Sequence, residues 1–178
     1  VTTQFFSGWS LIITHRKELM ISKEYLAWTF FTFLLLIDIW WASWIKTEKI
    51  IQDNYLFYFS LLSPAIFYLL TSFLFPALNK LTNGDLRMYL TGNLKKIAAL
   101  FCALFVSFLA GDFVFVDILK YDLIFNLVGI GLSIVLFLHR PFWIRTTLLV
   151  LGICLLIYHL SLMNSNEPNF RAVQGYAM

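Results

Sequence analysis

Residues 97–118 read IAALFCALFVSFLAGDFVFVDI, and the only charged residues among them are Asp112 and Asp117. An apolar run of this length matches the roughly 20 residues that an α-helix needs to cross the hydrocarbon core of a bilayer. Inside hydrocarbon every backbone donor and acceptor has to be satisfied within the chain, so the run forms a helix rather than an isolated strand. This segment therefore predicts a transmembrane helix.

Similar apolar runs lie on both sides of this segment. They cover residues 25–45, 55–78, 123–138 and 142–163. The composition agrees, because 60% of the residues are hydrophobic and only 13% are charged, against about 25% charged residues in soluble domains. The sequence predicts an all-α, polytopic transmembrane bundle with five full spans.

The first apolar stretch, residues 1–14, is shorter than the others. Roughly 14 residues at a rise of 1.5 Å reach about 21 Å, less than the 30 Å or so of a hydrocarbon core. Two interpretations stay open: the inner part of a first transmembrane helix whose start is trimmed, or a re-entrant segment. We expect one transmembrane domain, 1–178, of about six helices, ending in a polar C-terminal tail at 164–178.

Lysine and arginine are distributed unequally between the two sides of the predicted bundle. One side carries Arg16, Lys17, Lys23, Lys80, Arg87, Lys95, Lys96, Arg140 and Arg145, and the other carries Lys46, Lys49, Lys120 and Arg171. Because cytoplasmic loops retain positive residues, nine against four places the first group inside and the C-terminus outside. Arg16, Lys17, Arg87, Lys95, Lys96 and Arg140 are then interpreted as a cytoplasmic basic anchor that contacts lipid.

Aromatic residues cluster near the predicted helix ends, as in an interfacial belt. The outer ends carry Trp40, Trp41, Trp44, Tyr55 and Tyr58, and the inner ends carry Tyr25, Trp28 and Trp143.

Small residues spaced by four form a ridge along the helix of residues 97–118: Ala99, Ala103, Ser107 and Gly111. Membrane helices use small residues where their backbones approach closely. The ridge therefore predicts tight packing on a neighbouring helix.

The helix of residues 123–138 carries a face of polar and small residues, continued from Asp122 by Asn126, Gly129 and Ser133. At helical spacing these lie on one side, so we expect this face to look into protein rather than lipid. In the helix of residues 55–78, Pro64 predicts a kink, because proline removes a backbone hydrogen bond.

The candidate functional residues are Asp38, Asp112 and His159, with Asn126. Ionisable residues within a span are costly and usually face a partner or a water-filled cavity, and these lie at similar distances from the outer helix ends. Three interpretations stay open: each polar group satisfies a neighbour near the interface, the residues form a proton or cation pathway, or they bind a metal. The metal is the weakest of these interpretations, because no His-x-x-x-His or Glu-x-x-His spacing supports it. We therefore predict no metal and no cofactor.

The sequence contains no glycine-rich phosphate loop, nucleophile elbow or paired-cysteine metal motif. We therefore do not expect an enzyme with a conventional soluble site, although an intramembrane enzyme that acts on lipid stays open. The leading hypothesis is a small oligomeric channel, transporter-like or sensor module with a titratable polar site in the outer half of the membrane. The alternative is a non-catalytic accessory subunit of a larger membrane complex. The expected partners are membrane lipids and a second copy or a partner membrane protein, and no nucleic acid.

Several local features are shared with one family: Ser7, Gly8, His15, Arg16 and Lys17 in the first helix, Trp28, Trp40 and Trp41 in the next, Pro64, Tyr68 and Pro76 in the third, and Asp85, Leu86 and Arg87 before the fourth. In these the chain resembles small hypothetical bacterial membrane proteins of about six helices. The resemblance implies that architecture and the bacterial inner membrane, but it implies no activity.

Overall fold

The structure, a computed structural model, describes residues 2–45, 54–76, 84–115, 120–138 and 141–174. Its helices are α1 (Thr2–Thr14), α2 (Lys23–Ile45), α3 (Asn54–Ser60), α4 (Leu62–Leu74), α5 (Leu86–Phe115), α6 (Lys120–Leu138) and α7 (Phe142–Gln174). Within these residues no strand occurs, and the one β-type contact is an isolated bridge between Met20 and Asp85. The predicted all-α class is confirmed.

Among the residues that the structure describes, four helical segments are long and apolar enough to cross a membrane. They are Lys23–Trp41, Tyr55–Leu74, Leu86–Val114 and Phe142–Ser161, while Leu123–Leu138 is apolar but shorter. These lengths and compositions are consistent with an integral membrane protein.

Helices α2 and α5 lie at the centre of the bundle. Helix α5 packs on α4 and α6, and α2 packs on α7, α4 and α5. The packed interface is largely apolar and includes the fully buried Leu35, Leu70, Ile97 and Leu104. Because α2 contacts α7, the second and last long helices are brought side by side.

Helix α5 begins earlier than the predicted span, at Leu86 rather than at residue 97. Asp85 caps it, because its Oδ1 accepts hydrogen bonds from the backbone N–H groups of Arg87 at 2.8 Å and Met88 at 3.1 Å. An aspartate at this position satisfies N–H groups that have no partner inside the helix. The polar residues before the apolar run thus form the first turns of a single helix.

The helix of residues 55–78 is interrupted, as Pro64 predicts, although the break lies at Leu61 between α3 and α4. Leu61 N–H bonds the Tyr58 carbonyl, and the regular pattern resumes with Ala65 N–H on the Leu61 carbonyl. Proline cannot donate to the carbonyl four residues earlier, so the interruption falls within the turn that Pro64 weakens. Residues 77 and 78 lie outside the described residues.

The predicted packing ridge on α5 is only half correct. Ser107 and Gly111 are buried, and the Ser107 hydroxyl lies 2.9 Å from that of Ser63 on α4. Ala99 and Ala103 are exposed, so tight packing at these two positions is wrong for the described chain. The reason is that residues spaced by four turn gradually around α5. Helix α4 therefore covers Ser107 and Gly111 but not Ala99 and Ala103.

On α6 the structure places the predicted inward-facing residues inside the bundle. Asn126, Gly129 and Ser133 are all buried, and a Cβ at Gly129 would lie 2.5 Å from the Phe105 ring. Glycine at this position therefore allows α5 and α6 to approach closely. The side chain of Asp122 lies outside the described residues.

Two of the predicted belt aromatics are core residues instead. Tyr25 and Trp28 are buried, and the Tyr25 hydroxyl donates to the Leu74 carbonyl at 2.9 Å. Trp40 and Tyr58 are exposed. The two buried rings lie on the face of α2 that contacts α4 and α5. Composition alone does not show which face of α2 is buried and which is exposed.

The predicted tail is in part helical, because α7 continues to Gln174. Residues 175–178 lie outside the described residues.

Candidate functional site

Helices α2 and α7 run in the same direction and meet at three matched levels. Glu24 pairs with Arg145, Phe31 faces Gly152, and Asp38 pairs with His159. On both helices these positions are spaced by seven residues (24, 31, 38 and 145, 152, 159). A spacing of seven returns to the same face of a helix, as in the seam of a coiled coil.

The residues between these levels complete the seam. Trp28 and Leu35 on α2, with Leu149 and Leu156 on α7, are all buried. A spacing of four and then three residues places each of them beside the paired positions. The two ionic pairs are therefore held about 21 Å apart, at opposite ends of one packed interface.

At one end of this seam Asp38 Oδ1 lies 3.4 Å from His159 Nδ1, and the two side chains are only 7% and 6% exposed. The distance and geometry are those of an ion-pair contact rather than a hydrogen bond. Histidine carries its charge only when it is protonated. The ionic character of this contact therefore depends on the protonation of His159.

Helix α6 extends the polar region from α7 toward α5. The Phe125 ring stacks on the His159 ring, with centroids 4.3 Å apart and planes inclined by 11°. The next residue, Asn126, donates from Nδ2 to Asp112 Oδ2 at 2.8 Å. We call Asp38, His159, Asp112 and Asn126 the polar layer, because these contacts join them across four helices.

The polar layer contains the residues singled out from the sequence, and all four are buried. They form two pairs, Asp38 with His159 and Asp112 with Asn126. In the described part of the chain no three His, Cys, Asp or Glu side chains lie close enough to hold a metal ion.

A second polar cluster lies at the other end of the seam and was not predicted. Glu24 Oε1 is 3.1 Å from Arg145 Nε, and the side chains are 3% and 5% exposed. Arg145 Nη2 donates to Glu24 Oε2, and Nη1 donates to Thr91 Oγ1 on α5, each at 3.4 Å. The cluster thus ties α2, α7 and α5 together.

From the sequence, Arg145 was counted only among the positive residues that set the orientation, and Glu24 was assigned no role. Two signals could have identified them. Arg145 lies one turn inside an apolar run, and the 24/38 and 145/159 spacings are identical. Equal spacing of complementary charges on two helices indicates a parallel pair in register.

The predicted basic anchor is exposed where it is described. Arg16, Lys17, Arg87, Lys95 and Lys96 are all exposed, and Arg140 lies outside the described residues. Lys95 Nζ lies over the Phe137 ring and Lys96 Nζ over the Phe73 ring, each 5.5 Å from the centroid. Such contacts keep the aliphatic stems on apolar surface while the ammonium groups stay accessible.

Comparisons of the chain with protein-family models, curated proteins and solved structures give no match. The resemblance to small bacterial six-helix proteins stays a prediction, and the function has to be inferred from the polar layer.

Proposed function

We propose that this protein binds and releases protons at the polar layer, as a small channel, transporter-like or sensor module of a membrane. The observation that carries the proposal is the buried contact between Asp38 and His159. Ionisable residues inside a membrane protein are costly to bury and commonly mark a proton or ion site. Histidine is the side chain whose ordinary titration falls between about pH 5 and 8.

The chemistry of the layer supports this proposal. His159 can hold a proton at either ring nitrogen, and Asp38 supplies a negative charge beside Nδ1. The Phe125 ring covers one face of the imidazole. Asp112, held by the Asn126 amide, provides a second carboxylate on a neighbouring helix.

The first experiment is ¹⁵N NMR of the imidazoles in the full chain in detergent micelles. The chain has three histidines, and His159→Gln assigns the signal of His159. The signals are followed from about pH 5 to 8, the range in which histidine side chains ordinarily change charge, and we expect Asp38→Asn to change the response of the His159 signal. Asp85→Asn is the matched control, because Asp85 caps α5 far from the layer and asparagine caps equally well.

Two results would contradict the proposal. One is a His159 signal that does not change over this range while the signals of the other histidines do. The other is an equal effect of Asp38→Asn and Asp85→Asn on the His159 signal.

Proton flux separates transport from sensing. The protein is reconstituted into vesicles that contain a pH-sensitive dye, and a potassium gradient with valinomycin sets the potential. A channel or transporter acidifies the vesicles, and Asp38→Asn and Asp112→Asn return the rate to that of empty vesicles. Titration of His159 without flux favours a sensor, and flux that both variants leave unchanged excludes the layer as its path.

We further propose a polytopic protein of about six helices in the bacterial inner membrane, with its C-terminus outside. The excess of lysine and arginine in one set of loops supports this orientation. Single cysteines at positions 17 and 171, in a chain whose Cys102 and Cys154 are replaced by serine, are labelled with an impermeant reagent in whole cells. Labelling at 171 alone is expected, and labelling at 17 alone would reverse the orientation.

A second candidate function is an accessory subunit that packs on another membrane protein or on a second copy. The exposed Ala99 and Ala103 favour it, because small residues allow close helix packing. The mass of the purified particle with detergent subtracted distinguishes these cases. A second protein in fixed ratio supports the subunit, a discrete homo-oligomer supports the self-assembling module, and a monomer contradicts both forms of assembly.

A further inference from the structure

A crevice between α2, α5, α6 and α7 lies beside the polar layer but takes no part in it. It is open on one side, the space inside it is about 40 Å³, and its lining is almost entirely apolar. Trp28, Phe101, Leu132 and Leu148 are among the lining residues. Clefts with apolar and aromatic walls are typical of sites for hydrophobic ligands.

One polar group in the crevice lacks a partner. Trp28 lines the crevice and is 3% exposed, and its Nε1 has no hydrogen-bond partner among the described residues. A buried N–H without an acceptor is costly. An apolar ligand that carries an acceptor, such as an ester carbonyl, would satisfy it.

The rim at one end of the crevice is cationic. Arg87, Thr91 and Lys95 are spaced by four and lie along one line of α5. Thr91 contacts Arg145, which lies one turn before Leu149, a residue of the crevice lining. Lys95 lies over Phe137, which is next to Leu136, another residue of the lining. This line of α5 therefore borders the end of the crevice between α6 and α7.

The two cations on the rim are available to a ligand. Arg87 and Lys95 are exposed, and within the described part of the chain neither forms an ion pair. Each lies over an aromatic ring, Arg87 at 5.2 Å from the Phe142 centroid and Lys95 at 5.5 Å from the Phe137 centroid. Arg145, in contrast, is neutralised by Glu24.

We propose that the crevice binds one anionic phospholipid, with its phosphate between Arg87 and Lys95 and an acyl chain among the apolar side chains. Trp28 lies one turn, about 6 Å, beyond Glu24 and its Arg145 contact. This depth suits the ester carbonyls, which follow the phosphate in a phospholipid. Basic pockets between membrane helices bind anionic headgroups in the same way, and the acyl chain explains why the pocket continues into an apolar crevice.

Native mass spectrometry of the full chain in mild detergent tests the headgroup. Phosphatidylglycerol and phosphatidylcholine with identical acyl chains are titrated separately. We expect one phosphatidylglycerol to bind about tenfold more tightly than phosphatidylcholine, from two cations near the phosphate. Arg87→Gln with Lys95→Gln removes this preference, while the matched control Arg16→Gln with Lys17→Gln keeps it. Equal affinity for both lipids, or equal loss in both double variants, would overturn the proposal.

Three further measurements test the crevice itself. Leu132→Trp fills the space and is expected to weaken both lipids several-fold. Trp28→Phe keeps an aromatic ring but removes the N–H and part of the ring volume, and it is expected to weaken both lipids, unlike Trp143→Phe at an exposed ring. Glycerol 3-phosphate, which has the charge but no acyl chain, should not displace phosphatidylglycerol. Full displacement by it, or unchanged affinity in both Leu132→Trp and Trp28→Phe, would show that the headgroup binds without the crevice.

This inference does not depend on proton binding, because its measurement is lipid affinity. Loss of His159 titration would leave it standing, and loss of lipid selectivity would leave the proton site standing. Phe125 both lines the crevice and stacks on His159, so the two sites share one wall.

Discussion

The two ends of the α2–α7 seam carry pairs that are alike in burial and register but different in chemistry. Glu24 and Arg145 are 3% and 5% exposed, and Asp38 and His159 are 7% and 6% exposed. Arginine keeps its charge at every accessible pH, whereas histidine gains and loses its charge near neutrality. One pair is therefore a permanent ionic contact, and the other changes with the proton concentration.

This difference assigns separate roles to the two ends. A buried ion pair stabilises little over an apolar contact, but it is costly to break because the remaining charge stays buried. We therefore expect the Glu24–Arg145 pair to select which faces of α2 and α7 meet. With that end held in place, a change in charge at His159 acts on a fixed neighbour, Asp38.

The largest effect is expected from breaking the permanent pair. Arg145→Leu leaves the Glu24 carboxylate buried without a cation and should cost about 3–5 kcal/mol of unfolding free energy. Unfolding in mixed micelles with increasing SDS measures it. Lys23→Leu, next to Glu24 but exposed, is the control and should change stability far less.

The double variant Glu24→Leu with Arg145→Leu sharpens this result. Removing both charges should restore most of the stability lost in Arg145→Leu, because an apolar pair can replace a buried ion pair. A double variant as unstable as the single one would mean that Arg145 acts through Thr91 or packing and not through Glu24.

The middle of the seam should respond next most strongly. A Cβ at Gly152 would lie 3.3 Å from the Phe31 ring, so Gly152→Leu should overpack the interface and cost about 1–3 kcal/mol. Gly131 on α6 has no atoms within 4 Å of an added Cβ, and Gly131→Leu should cost nothing or stabilise. Equal changes in the same SDS titration would show that α2 and α7 are not in contact at this level.

The helices themselves were predictable because apolar length is a strong signal and the bilayer leaves few alternatives. The inward face of α6 followed from Asn126, Gly129 and Ser133 at helical spacing. The polar first turns of α5 are a weaker signal than its apolar run, and Asp85 as a cap marks the residue at which they begin. Ala99 and Ala103 mislead for a physical reason: small residues permit close packing but do not require it.

Composition and helix length do not predict which side chains pair. Depth alone placed Asp38, Asp112 and His159 together, but it could not say which carboxylate meets His159. That choice depends on which helices are neighbours, and the parallel α2–α7 pair is a long-range contact. Glu24 and Arg145 were missed because charges near the ends of apolar runs are usually solvated, whereas here α5 covers them.

The smallest expected effect is the pH dependence of the Asp38–His159 contact. The stability is compared at about pH 8 and about pH 5.5, because a lower pH favours the protonated form of an imidazole, whose positive charge attracts the Asp38 carboxylate. The stability difference between wild type and Asp38→Asn should therefore be larger at the lower pH, by about 1 kcal/mol. The difference for Glu24→Gln should stay nearly constant over the same range, because Arg145 stays charged. In a His159→Gln background the pH dependence of the Asp38→Asn effect should vanish. If it persists there, the effect belongs to another titrating group, and the two ends of the seam do not differ in their response to pH.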